Sequence, residues 1–208
     1  MTKIKICGIR RPEDVEYVNE AMPDYCGFIT EFANSRRSID RDKLKELALK
    51  LDKRIIPVGV FVNVPISLPA RLLNDGVIKI AQLHGSEDEQ YIAELRRLTN
   101  GSAGSIMKAF SVKSAEDIEA ARRSSADHIL LDQGSGGTGK TFDWSLASDV
   151  GRPFFLAGGL DPGNITEAID RLSPWAVDLS SSLETDGVKD REKIIEAVNT
   201  VRYHDRRK

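Results

Sequence analysis

His128-Ile129-Leu130-Leu131-Asp132-Gln133-Gly134-Ser135-Gly136-Gly137-Thr138-Gly139-Lys140-Thr141-Phe142-Asp143-Trp144 supports two incompatible readings, and the surrounding chain decides between them. Taken alone, Gly134 to Thr141 fits G-x-x-x-x-G-K-[ST], the phosphate loop in which backbone amides cradle a nucleotide. Such a loop has to open a substantial helix, with its lysine and threonine already in the first turn. After Thr141 the chain offers only Phe142 to Val150 before Gly151-Arg152-Pro153 and the apolar run Phe154-Phe155-Leu156-Ala157. At most about two helical turns fit there. Asp178, after Trp175-Ala176-Val177, is an acid that could serve the magnesium of a nucleotide site. Read in place, the same stretch is a strand that ends in an aspartate and runs into a glycine-rich loop.

Outward from it, short runs rich in Ile, Val and Phe alternate with segments of helical period along the whole chain. Period and composition predict strands over 4–7, 25–29, 55–62, 78–83, 105–110, 128–131, 154–157 and 176–179. Pro12 begins the first intervening helix and Ser114 the fifth, while Ser86 with Glu89 reads as a capping box. Asp40 opens a helix whose Leu44, Leu47, Ala48 and Leu51 recur at i, i+3, i+4 and i+7, and Ile194, Val198 and Val201 stripe the last one. Asp161-Pro162 reads as an N-cap followed by proline at the first helical position. A weaker helix with Pro65 and Pro69 runs to Asp75, and the sixth helix is short.

Eight strands, each followed by a helix, predict a single-domain (β/α)8 TIM barrel of eight parallel strands over residues 1–208, with 203–208 as a frayed basic tail. An open doubly wound sheet would also bury parallel strands on both faces. It would gather its unusual residues at one crevice, whereas a barrel places them at the carboxyl ends of several strands. Here Cys7-Gly8 ends the first strand, Gln82-Leu83-His84-Gly85 the fourth and Asp132 the sixth. Gly158-Gly159 ends the seventh and Ser180-Ser181-Ser182 the eighth, which is the barrel's distribution.

Composition narrows the function classes. A formal charge of −2, spread along 208 residues, gives no sign of a nucleic-acid or membrane surface. Cys7 and Cys26 lack C-x-x-C spacing, and His84, His128 and His204 are scattered, so neither a zinc site nor a disulfide framework is expected. The N-terminus enters a strand at once, without a leader-like apolar stretch behind basic residues, and the expected compartment is the cytoplasm.

Six segments in order carry a resemblance: Lys5-Ile6-Cys7-Gly8-Ile9, Gly59-Val60-Phe61-Val62-Asn63, Gln82-Leu83-His84-Gly85, Gly136-Gly137-Thr138-Gly139 with Phe142-Asp143-Trp144, Leu156-Ala157-Gly158-Gly159-Leu160, and Val177-Asp178-Leu179-Ser180-Ser181. Over nearly its whole length the chain resembles the phosphoribosylanthranilate isomerases, the aldose–ketose isomerases of tryptophan biosynthesis. The resemblance implies an Amadori rearrangement of a small phosphosugar substrate with neither metal nor organic cofactor, by a monomer or homodimer. Asp132 would then protonate the ring oxygen and Cys7 would take the C2′ proton. It further implies that Gly158, Gly159, Ser180, Ser181 and Ser182 hold the ribose phosphate under a loop of Gly137, Thr138 and Gly139. Gln82, His84 and Asp178 would line the site, and Arg37 would pair with the anthranilate carboxylate, although the adjacent Arg36 competes for that place. Ser182 stands where the family usually has glycine, and the segment from Phe28 to Phe32 is less aromatic than the family's. Another phosphosugar enzyme on the same barrel and a non-catalytic binder of a phosphometabolite remain rivals, with the nucleotide reading of Gly134 to Thr141 beside them.

The chemistry sets its own demands. An aspartate of ordinary pKa ~3.9 has to be raised to act as an acid near neutrality, which burial at a barrel mouth achieves. A free thiol of pKa ~8.5 is only slightly ionised at neutral pH, so a cysteine base needs a neighbouring cation or a helix amino end. Arg10 and Arg11, beside the helix opened by Pro12, are the candidates that motif and spacing suggest.

Overall fold

In the computed structural model, residues 1–99, 104–132, 144–147 and 149–207 are described. Eight parallel strands, β1 (Lys3–Cys7), β2 (Tyr25–Ile29), β3 (Ile56–Phe61), β4 (Ile80–Leu83), β5 (Ser105–Ser111), β6 (His128–Asp132), β7 (Phe154–Leu156) and β8 (Ala176–Leu179), pair in sequence order. The sheet closes where β8 pairs with β1, in a register that sets Lys3 beside Ala176, Ile4 beside Val177, Lys5 beside Asp178 and Ile6 beside Leu179. The TIM barrel expected from eight strand–helix units is therefore the architecture.

Period two sorts each strand into an inward and an outward set. Tyr25, Val58, Ile80, Met107, Leu130, Phe155 and Ala176 fill the barrel as one apolar cluster, with the Tyr25 ring edge-on to Phe155 at 5.1 Å between centroids. Ile4, Ile6, Cys26, Phe28, Phe61, Leu83, Ile129, Leu131, Val177 and Leu179 join the second cluster, between sheet and helices. Both faces are thus buried, which explains why the strands read as continuous apolar runs. The inward set turns polar toward the carboxyl ends, where Lys5, Gln82, Asp132 and Asp178 are buried among the strands.

The helices are α1 (Pro12–Ala21), α2 (Arg41–Lys50), α3 (Ser67–Asn74), α4 (Glu89–Leu98), α5 (Ala115–Arg123), α6 (Ile165–Leu172) and α7 (Arg191–Arg206). Asp40 caps α2 by accepting from the Lys43 N–H at 2.7 Å, and Ser114 with Asp117 forms the capping box of α5. Two expected starts are displaced. The α4 cap is Asp88, which accepts from the Tyr91 N–H at 2.9 Å, because the Ser86 amide and hydroxyl are both spent on Asn63 Oδ1. Asp161 closes a turn through the Gly163 and Asn164 N–H groups, so α6 begins only at Ile165.

The sixth crossover contains a single 3-10 turn, Trp144–Ala147, among its described residues. No described helix follows the glycine-rich stretch closely enough to serve a phosphate loop, and residues 133–143 themselves lie outside the described residues. The expected fraying of 203–208 is also corrected through Arg206, since Tyr203 to Arg206 continue α7. Side chains tie this end to the amino-terminal strand end: Asp205 accepts the Thr2 N–H at 2.5 Å, and Arg202 pairs with Asp24 at 2.7 Å.

Phe155 lies at the centre of the inner cluster with 1% of its surface exposed. Truncation to alanine should cost about 3–5 kcal/mol through lost burial and an unfilled cavity. In urea unfolding, Phe155→Ala is expected to lower the midpoint strongly at an unchanged slope.

Candidate active site

The mouth is built on a buried ion pair. Lys5 and Asp178 are neighbours across the β1–β8 seam, and Lys5 Nζ lies 2.8 Å from Asp178 Oδ2 with the lysine side chain fully buried. Burial works against the lysine charge. The Asp178 carboxylate and the Cys7 sulfur outweigh it and hold the Lys5 pKa above the ordinary lysine value. Asp178 Oδ1 is buried with no hydrogen-bond partner, an acceptor left over at the mouth.

Cys7 follows Lys5 by two residues and so faces the same way, one layer closer to the opening. Its neighbour on β2 is Gly27, and a Cβ there would lie 2.8 Å from Cys7 Sγ and 3.1 Å from Lys5 Nζ. Only glycine lets the thiol and the ammonium share that space. Burial pushes the Cys7 thiol above its usual pKa, while Lys5 pulls it down by charge and by a side-chain hydrogen bond. Cys26 points the other way, is fully buried, and has its thiol pushed up chiefly by burial, so it stays a packing residue. Arg10 and Arg11 do not serve the thiol. Arg11 is held by Asp14, and Arg10 donates to the carbonyls of Arg36 and Gly187.

Opposite, Asp132 ends β6 with its side chain 12% exposed, and His84 Nε2 approaches Asp132 Oδ2 at 3.4 Å. Gln82, one turn of the pleat below, sets the ring: its Nε2 lies 2.8 Å from His84 Nδ1. An amide nitrogen only donates, so Nδ1 accepts and the ring proton sits on Nε2, facing Asp132. Gln82 Oε1 is a second buried acceptor without a partner.

Two poles flank this pair. After β7, Gly158 and Gly159 take positive φ values of 87° and 66°, the turn conformation that exposes successive amides. After β8, Ser180 donates its hydroxyl to the Cys7 carbonyl at 3.1 Å, and Ser181 and Ser182 open a 3-10 turn (Ser181–Leu183). Ser182 Oγ is buried and unpartnered, a polar group aimed into this turn.

The other pole is cationic. Arg37 is 15% exposed and lies over Gly8 (φ +85°), whose missing Cβ would come within 2.6 Å of Arg37 Cδ. Arg36 is 60% exposed, so Arg37 is the arginine turned toward the mouth. Both pair with Glu184, at 2.5 Å from Arg37 Nε and 2.7 Å from Arg36. Glu184 starts the short hairpin β9 (Glu184–Thr185) with β10 (Val188–Lys189). Burial opposes its ionisation, but Arg37 and Lys189 hold its pKa down at about 2. Lys189, nearly fully buried, donates to the Ser180 carbonyl at 2.8 Å and pairs with Glu184 at 3.2 Å.

Cys7, Gln82, His84, Asp132, Asp178 and Ser180 thus occupy one mouth, flanked by Gly158, Gly159, Ser181, Ser182 and Arg37. Gly137, Thr138 and Gly139 lie outside the described residues. His128 starts its strand at the opposite end, against Phe155. No motif contains Glu184 or Lys189, and the motif that begins at Lys5 gives that residue no role. Lys5 carries one legible signal, a charge at an inward position between Ile4 and Ile6.

Residues 4–200 match the family model described as N-(5'phosphoribosyl)anthranilate (PRA) isomerase. The N-(5'-phosphoribosyl)anthranilate isomerase of Endomicrobium trichonymphae is 47% identical over 206 residues, covering 97% of this chain and 99% of that one. Among solved structures, phosphoribosyl anthranilate isomerase from Thermotoga maritima superposes with a TM-score of 0.86 at 33% identity, covering 98% of this chain and all (100%) of that one. A phosphoribosyl anthranilate isomerase in complex with reduced 1-(o-carboxyphenylamino)-1-deoxyribulose 5-phosphate gives a TM-score of 0.83 at 31% identity, covering 98% and 100% of the two chains. The chain belongs to the N-(5'-phosphoribosyl)anthranilate isomerase family.

Proposed function

We propose that the chain carries out the family's Amadori rearrangement with Asp132 as general acid and Cys7 as general base. The enzyme converts N-(5'-phosphoribosyl)anthranilate to 1-(o-carboxyphenylamino)-1-deoxyribulose 5-phosphate in tryptophan biosynthesis. Asp132 gives its proton to the furanose ring oxygen as the C1′–O bond breaks, and the anilino nitrogen lone pair forms the C1′=N bond of a cationic Schiff base. Cys7 then removes the C2′ proton, and the electron pair left behind neutralises the nitrogen as an enolamine. Tautomerisation returns a proton to C1′ and leaves a ketone at C2′. The observation that carries this assignment is one carboxyl at the end of β6 and one thiol at the end of β1, both inward, in a single mouth.

The phosphate goes to the amides of Gly158, Gly159 and Ser180 to Ser182, and the unpartnered Ser182 hydroxyl supports an oxyanion there. The unpartnered oxygens of Gln82 and Asp178 suit the sugar hydroxyls. Arg37 takes the anthranilate carboxylate in exchange for part of its pairing with Glu184. Such a phosphorylated, anionic substrate does not cross membranes unaided, which supports a cytoplasmic enzyme, working as monomer or homodimer. Among the described residues no helix is long and apolar enough to cross a membrane.

Turnover of substrate generated in situ, followed through anthranilate fluorescence, tests the assignment. Asp132→Asn and Cys7→Ala should each lower kcat by about 10²-fold or more, and unchanged turnover in either removes that residue from the chemistry. Arg37→Ala should raise KM by about tenfold or more, the loss expected for a charge-assisted bidentate contact.

Glu184 predicts a pH dependence. Its pKa lies at about 2 in the fold against an ordinary 4.5, so its contribution to stability is complete above about pH 4.5 and fades as pH falls toward 2. Glu184→Gln should therefore unfold at a lower temperature than the parent at pH 7, with the difference closing as the pH falls through that window. A difference that stays constant across it would remove the ion-pair assignment.

A further inference from the structure

Lys5 is among the largest fully buried side chains of the described residues, and the acid–base scheme above leaves it without a task. A buried ammonium needs compensation, and Asp178 alone would supply it. Yet Lys5 is not confined to Asp178. A Cβ at position 27 would lie 2.8 Å from Cys7 Sγ and 3.1 Å from Lys5 Nζ, so sulfur and ammonium both border the space that Gly27 leaves free.

We propose that Lys5 is a positioning residue for the reaction: divided between Asp178 and Cys7, its ammonium orients the sulfur and stabilises it as the thiolate that takes the C2′ proton. This rests on Cys7 being the base. When the sulfur is charged, Lys5 shifts its weight toward it; when the proton has been taken, Asp178 resumes the pairing. The lysine keeps its own proton throughout.

Other charges among the described residues act on the sulfur, and none of these replaces Lys5. Lys189 of β10 is committed to the Ser180 carbonyl and Glu184, and Arg37 above Gly8 to Glu184. Asp178 of β8 opposes thiolate formation, and Asp132 and His84 act on Asp178 from across the mouth. Cys26 of β2, on the other face of its strand, stays a thiol under burial. Lys5 shares the inward face of β1 with Cys7 and meets it beside Gly27, a placement that agrees with its pull on the Cys7 titration against burial.

The test titrates Cys7 by ultraviolet thiolate absorbance, taken as the difference from Cys7→Ala, in the parent, Lys5→Met and Asp178→Asn. Lys5→Met should raise the midpoint by about one pH unit or more, and Asp178→Asn should lower it, since the ammonium is then undivided. A base works when deprotonated, so a higher midpoint moves the rising limb of the kcat–pH profile upward. At neutral pH Lys5→Met should lose about tenfold in kcat, with KM within about threefold of the parent. If Lys5→Met does not fold, Lys5→Met/Asp178→Asn buries no unpaired charge and should titrate well above Asp178→Asn alone. Folded variants whose midpoints stay put, or move in the same direction, overturn the role of Lys5. Retained turnover in Cys7→Ala would instead overturn Cys7 as the base, and the proposal with it, whatever the titrations show.

Discussion

The Lys5–Asp178 pair sits on the seam where the sheet closes, and the functional geometry depends on it. Removing two charges from water is costly, and a buried ion pair seldom adds net stability over an apolar one of the same shape. Here the cost falls at the one ladder, β8 to β1, that turns a curved sheet into a barrel. A one-residue slip at that seam would set Lys5 beside an outward apolar residue and strand both charges. The pair therefore works as a register pin, and the same register aims Cys7 and Ser180 into one opening.

Above that floor, the mouth separates its charges. A cationic edge of Arg37 and Lys189 gathers around Glu184, the acid end of β6 faces His84, and glycine and serine amides form the remaining rim. Among the described residues, three buried oxygens at the mouth, on Gln82, Asp178 and Ser182, have no protein partner. Unsatisfied buried polar atoms are rare in finished cores, and their clustering at the mouth marks where a polar ligand completes the structure. Below the mouth the barrel is filled by an apolar cluster, from the edge-on Tyr25 and Phe155 rings to Leu130 and Met107.

Much of this was legible in the residues. Strands buried on both faces announce themselves as apolar runs, and all eight expected strands are present to within two residues at either end. Helix starts fared less evenly, for a physical reason. An aspartate or serine before a helix can equally close a turn, and which bond forms depends on tertiary neighbours: Asn63 claims Ser86, and Asp161 closes on Gly163 and Asn164. The end of α7 was hidden because its basic composition resembles a solvated tail, while its anchors, Asp24, Asp170 and Thr2, are far away in sequence. Cys7, Gln82, His84, Asp132, Gly158 and Ser180 could be placed at the mouth from the sequence because each lies at the carboxyl end of a strand. Glu184 and Lys189 were not, nor was the role of Lys5 at the head of the β1 motif, since their importance comes from whom they meet across the seam and in the hairpin after β8.

The tether between Asp205 near the end of α7 and the Thr2 amide has an architectural consequence. It brings the start of β1 and the end of α7 together on the face away from the mouth. Joining them with a short linker and cutting the chain elsewhere would yield a circularly permuted barrel with its reactive rim undisturbed. For the same reason, a second domain attached at either end would hang beneath the barrel and leave the substrate's approach open.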